Sequence, residues 1–287
     1  MLDVWPALPL YISCTRTREV SADNVLAVLE RSNRVYQISL QSFSSLDSEK
    51  IRAAMDVPFP ELTFLGLTSE KAVRALPDSF LGGSAPHLRT LGLQGIPFPG
   101  LPKLLLSTTH LVNLFLSNIP HSGYFSPEAG VTALSSLSRL DGLWLEFQSP
   151  RSRPDRRPPP PTRVVLPALT EFRFKGDIEY LEDLVARIDA PRLGELRTTV
   201  FNQIIFDMPQ FIQFISRTPT LKAPEEARVI FEDGASRVNF SSQTSYLEVK
   251  IPCKELDWQV SSLEQVFTSC LPHLSTLEGL FIDSPGG

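Results

Sequence analysis

The feature that most constrains this chain is a run of apolar residues spaced L-x-x-L-x-L, which returns along almost its whole length. Leu88, Leu91 and Leu93 make one copy, opened by Pro86. Others run through Leu62, Leu65 and Leu67; Leu111, Leu114 and Leu116; Leu140, Leu143 and Leu145; Leu169, Phe172 and Phe174; and Leu193, Leu196 and Thr198. An earlier copy uses Val35, Ile38 and Leu40, and a late one Leu277, Leu280 and Ile282. The copies start at 35, 62, 88, 111, 140, 169 and 193, and Leu221 and Leu247 continue the spacing.

The last two apolar positions of each copy are two residues apart. In an extended strand they fall on one side, and the residue between them falls on the other. Such a strand cannot bury its apolar side alone and needs neighbours built the same way. Intervals of roughly 20 to 30 residues carrying this motif are the signature of a leucine-rich repeat. The expected fold is therefore an α/β leucine-rich-repeat solenoid, a horseshoe with parallel strands on the concave face and helices on the convex face. Residues 1–287 read as a single domain of about nine or ten irregular repeats.

The segments between the copies carry helix signals. Ser21-Ala22-Asp23 opens one, and Ser126-Pro127-Glu128 another, with a hydroxyl cap, proline at the first position and an acid in the first turn. Ile51, Ala54 and Met55 precede one strand, and Ala72, Val73 and Leu76 the next. Pro99–Ser107 is shorter and suits a turn of 3₁₀ helix. Ile178, Leu181, Leu184, Val185 and Ile188 form the clearest apolar stripe, opened by Asp177; Phe211, Phe214 and Ile215 mark another. Ser261-x-x-Glu264 reads as a capping box before Leu263, Val266 and Phe267. Val4 to Ile12 reads as an extended lead-in anchored by Trp5 and Leu10. Residues 149–162 hold no apolar side chain except proline, and read as a flexible Pro/Arg-rich insert.

Charge and cysteine content exclude several classes. A net charge of -5 gives no global field favouring nucleic acid. The odd set Cys14, Cys253 and Cys270 supplies neither a disulfide framework nor a metal set, which fits a reducing compartment. The first residues lack the basic start of a signal peptide, and no apolar run reaches the roughly 18 residues that span a bilayer. The expectation is an intracellular protein, cytoplasmic or nuclear, without membrane or nucleic-acid partners.

With these repeats, the phrases Trp5-Pro6-Ala7-Leu8-Pro9-Leu10, Ala22-Asp23-Asn24-Val25 and Pro167-Ala168-Leu169 resemble the leucine-rich-repeat region of fungal F-box proteins. The resemblance implies the substrate-binding part of a Skp1-cullin-F-box ubiquitin ligase receptor. No F-box follows Met1, so Skp1 is expected as a partner only through an F-box segment upstream of this chain. The alternative left open is a free-standing leucine-rich-repeat scaffold or adaptor without a ubiquitin role.

The residues between the motif leucines define the expected binding face. In order they are Ser39, Gly66, Gly92, Phe115, Trp144, Arg173 and Arg197, flanked by others that include Glu146 and Lys175. Aromatic and arginine side chains are the usual anchors of protein interfaces, and Arg over Trp adds a cation–π attraction. Phe115, Trp144, Arg173, Arg197, Glu146 and Lys175 are the candidate partner-binding residues, for a protein or peptide with an acidic group. His87, His110 and His273 each precede the first leucine of a copy, and share a structural slot on successive turns rather than converge. No catalytic constellation, metal set or cofactor motif is present, so an enzyme is not expected.

Overall fold

The computed structural model describes residues 8–14, 21–41, 48–149, 162–201 and 208–253, together with 257, 260, 261, 263–266 and 276–283. Trp5, Phe267, Cys270, His273 and residues 150–161 of the Pro/Arg-rich insert lie outside these. The chain forms two compact units, Met1–Leu140 and Asp141–Gly287.

In the first unit, β1 (Leu10–Cys14), β2 (Val35–Leu40), β3 (Phe64–Thr68), β4 (Thr90–Gln94) and β5 (Asn113–Ile119) lie side by side in chain order. Every pairing is parallel. Ile38, Leu65, Leu91 and Leu114 stand in one register row, and Leu40, Leu67, Leu93 and Leu116 in the next. Both rows are buried, as are Leu62, Leu88 and Leu111 just ahead of their strands. Backbone bonds clamp successive copies together at that entry: Thr63 N–H to Tyr36 C=O at 2.9 Å, Arg89 to Thr63 at 2.8 Å, and Val112 to Arg89 at 2.8 Å.

The helices follow the cap signals. In α1 (Ala22–Leu29) the Ser21 hydroxyl accepts from the Asp23 N–H at 3.3 Å, and α2 (Ser48–Ala54) packs against it. α3 (Leu101–Leu105) packs against α4 (Pro127–Leu134), whose Ser126 hydroxyl accepts from Ala129 N–H at 3.2 Å. Two expectations are corrected here. Residues 99–107 hold the α-helical turn α3, because Pro102 sits in its first turn, where its missing N–H costs nothing. Ala72, Val73 and Leu76 are not helical. Pro77 disfavours helix at Leu76, whose N–H bonds the Pro97 carbonyl instead, and a 3₁₀ turn forms later at Phe80–Gly83.

The second unit contains β6 (Gly142–Phe147), β7 (Val164–Val165), β8 (Glu171–Gly176), β9 (Ile188–Asp189), β10 (Glu195–Val200), β11 (Glu226–Glu232), β12 (Ala235–Ser241), β13 (Tyr246–Pro252) and β14 (Gly279–Asp283). Its main sheet runs β6-β8-β10-β13-β12-β11-β14, with β7 paired to β9 separately. The pairings are parallel except β11–β12 and β12–β13. The chain is thus α/β, all parallel in one unit and mostly parallel in the other. α5 (Ile178–Val185) ends before Ile188, which lies in β9, and α6 (Pro209–Arg217) buries Phe211, Phe214 and Ile215. Glu182 of α5 is buried because its carboxylate caps α6, accepting from the N–H groups of Gln210 at 3.0 Å and Phe211 at 2.8 Å. The charge there faces the positive end of the helix dipole.

The late copies depart from the simple repeat. Leu221 is buried in a turn, not a strand. The antiparallel hairpin closes through Asp233-Gly234, with Gly234 at φ +83°. That dipeptide between alternating apolar residues is a hairpin signal that the leucine period overrides when read alone. In β14, Leu280 and Ile282 are 59% and 67% exposed, contrary to the expectation that motif leucines point inward. Among the described residues, no helix is long and apolar enough to cross a membrane.

Gly95 tests the register of β4. It adopts φ +68°, and a Cβ there would lie 2.2 Å from the Ser69 carbonyl oxygen. Gly95→Ala is expected to lower stability by about 2 kcal/mol or more, since conformation and space both oppose the methyl group. Denaturant unfolding monitored by circular dichroism reads this directly.

Candidate functional site: the polar face of the second unit

Because alternate residues of each strand leave the core, one side of the second unit's main sheet carries rows of polar side chains. Trp144 stands opposite Arg173, Arg173 opposite Arg197, and Arg197 opposite Glu248. The row continues through Asn239, Arg228 and Phe281. One row toward the strand entries come Glu171, Glu195 and Tyr246. On the other side come Glu146, Lys175, Thr199, Lys250 and Arg237.

The Arg173 guanidinium lies 4.0 Å from the centre of the Trp144 ring. Its Nε donates to Glu171 Oε1 at 2.5 Å, and its Nη2 reaches Glu195 Oε1 at 3.4 Å. Arg197 Nε pairs with the same Glu195 oxygen at 2.7 Å, and its guanidinium sits 5.1 Å from the Tyr246 ring. The Tyr246 hydroxyl donates to Glu248 Oε2 at 2.9 Å, and Arg237 Nη1 approaches that oxygen at 3.5 Å. Arg237 also pairs with Glu232, which accepts from Lys250 Nζ at 2.8 Å.

The result is one chain of alternating charge from Trp144 to Lys250. Each pair near the surface contributes about 0–1 kcal/mol, and the Arg–Trp contact about 0.5–2 kcal/mol. The energetic effect on folding is modest. The positional effect is larger, because Arg173 is held by three groups and Trp144 is pinned beneath it. Such a surface offers a fixed aromatic and cationic platform. Glu248, at 8% exposure, is the most buried charge in the chain of contacts and is held by Tyr246 and Arg237.

Of the residues expected from sequence, Trp144, Arg173 and Arg197 come together in one row, with Glu146 opposite Lys175 beside it. All five are part-exposed. Phe115 is part-exposed on β5 of the first unit, in register with Gly92. Sequence reasoning missed Tyr246, Glu248, Arg237 and Glu232. The Asp233-Gly234 hairpin was the signal that could have placed them.

A second correction concerns the histidines of the first unit. His87 and His110 stack nearly parallel, with ring centres 6.2 Å apart and planes 12° from each other. Sharing a slot on adjacent parallel copies is itself convergence, because neighbouring strands lie only about 4.8 Å apart. His121 lies apart from them in a 3₁₀ turn, His121–Gly123. Cys14 and Cys253 are both buried, and burial pushes the Cys14 thiol pKa up. Among the described residues, no three His, Cys, Asp or Glu side chains cluster as a metal site would require.

No family model, curated protein or solved structure matches this chain.

Tyr246 provides a solution probe of the polar chain. Burial, then the hydrogen bond and the charge of Glu248, push its phenol up to about 12. The neutral phenol is favoured in the folded state, so its contribution is complete below about pH 10 and is lost as pH rises toward 12. Ultraviolet titration should show a late-ionising tyrosine that disappears in Tyr246→Phe. Ionisation of all tyrosines together near pH 10 would exclude the described burial.

Proposed function

We propose that the chain is a leucine-rich-repeat solenoid that recognises a protein or peptide through its polar sheet face. The observation that carries this reading is the Trp144–Arg173 stack, fixed by Glu171 and Glu195. A part-exposed aromatic held in one orientation loses little entropy on binding, and Trp and Arg are the residues that most often anchor interfaces. The repeat reading of the fold is supported by in-phase leucines that become neighbours on parallel strands within each unit.

The partner chemistry follows from the charges. Arg173 and Arg197 already face Glu195, so a purely acidic ligand gains less from them than their sequence positions suggest. The favoured ligand is an extended segment with an apolar or aromatic group for Trp144 and both signs of charge beside it. Mixed charge of this kind sets register and partner choice more than affinity. Extending the resemblance to fungal F-box proteins, the module would be the substrate arm of a ubiquitin ligase receptor in the cytoplasm or nucleus, with Skp1 joining through an upstream F-box.

Panning a displayed peptide library against the chain tests the face. Selected peptides should bind at least about tenfold more weakly to Trp144→Ala and to Arg173→Ala, as truncated anchors generally do. Undiminished affinity in both variants would remove the face from the reading. Association of Skp1 with a longer product carrying an upstream F-box supports the ligase role; a longer product without one, failing to bind Skp1, leaves the free-standing scaffold.

A further inference from the structure

The first unit holds a groove whose chemistry differs from the face just described. Each copy enters its strand through a buried leucine flanked by two outward residues: Glu61 and Thr63 around Leu62, His87 and Arg89 around Leu88, His110 and Val112 around Leu111. Arg139 precedes Leu140 in the same slot. The backbone clamps at the strand entries hold these residues in two adjacent lines, and a groove of about 460 Å³ runs between them. That volume lies within the range of small-ligand sites, roughly 300–1,000 Å³.

The charges in this groove are not compensated internally. On the polar face of the second unit, Arg173, Arg197 and Arg237 each have a carboxylate partner. Among the described residues, Arg89 and Arg139 have none; Arg139 Nη1 lies instead 3.3 Å from His110 Nδ1. Among the described residues, Glu61 is the one acid lining the groove, against two guanidinium groups and two stacked imidazoles. Like charges gathered along one concave line repel each other and raise the local concentration of anions.

We propose that this groove binds the phosphate group of a small phosphorylated ligand. Arginine presents paired N–H donors matched to phosphate oxygens, and an imidazole adds one donor when neutral and a full charge when protonated. Two arginines and two histidines exceed what a single carboxylate uses, and suit a dianion with several acceptor oxygens. Tyr36 and Val112 border the same groove and offer an organic body something to lie against.

The probe is phenyl phosphate, titrated into the full chain while the histidine ring signals are followed by nuclear magnetic resonance. Saturable shifts of two histidines are expected, since His87 and His110 line the groove beside Arg89, Arg139, Glu61 and Tyr36. Arg89→Ala with Arg139→Ala should weaken binding about tenfold or more, since charged hydrogen bonds are lost. His87→Ala with His110→Ala should also weaken binding, read on the phosphorus signal of the ligand, since two ring N–H donors are lost. All four side chains are exposed, so these variants keep the leucine core. Trp144→Ala should leave phosphate binding unchanged, which separates this inference from the peptide-binding reading. No saturable shift, or a shift undiminished in the double arginine variant, would overturn it. Inorganic phosphate binding as tightly as phenyl phosphate would overturn the small-ligand assignment.

Discussion

Everything on the surface of this protein depends on register between consecutive copies. At each strand entry a backbone N–H bonds the carbonyl of the copy before it, at Thr63, Arg89 and Val112 in the first unit and at Thr170 and Gly194 in the second, and at the last four the next N–H shares that carbonyl. These bonds fall at the same point of each motif whatever the length of the intervening segment. Once that point is fixed, the leucines ahead of and within the strands meet their counterparts, and the residues between them have no choice of neighbour. A slip of one residue would turn every leucine outward and every polar residue inward. Burial of the leucine rows therefore secures the positions of the charges.

The two polar surfaces show what the same scaffold does with different residues. On the second unit's face, acids and bases alternate across strands, and each arginine is held by a carboxylate. At the strand entries of the first unit, the residues flanking the entry leucines gather histidine and arginine with one acid among the described residues. The first arrangement fixes side chains in place. In the second, Arg89 and Arg139 have no carboxylate partner among the described residues.

Much of this was legible in the sequence. The motif spacing identified the strands, the cap residues Ser21 and Ser126 marked their helices, and the residue between the leucines named the row Trp144, Arg173 and Arg197. What stayed hidden was tertiary. Apolar period reports that a side chain is buried, not which strand lies beside it, so the insertion of β12 beside β13 left no trace in the leucine count. Parallel and antiparallel strands share the period of two. Leu76 was misread because Pro77 acts on backbone conformation while the pattern counts only hydrophobicity. His87 and His110 were read as separated because distance along the chain says nothing of distance across it.

The internal pairing of the second unit's arginines has a kinetic consequence. A face whose charges are neutralised locally projects little potential beyond a Debye length of about 8–10 Å. In the peptide-recognition reading proposed above, encounter with a partner would be unsteered, at the ordinary association rates of about 10⁵–10⁶ per molar per second. Differences among partners would be expressed in how long each complex lasts, through contacts around Trp144, and only weakly in how salt changes its rate of formation.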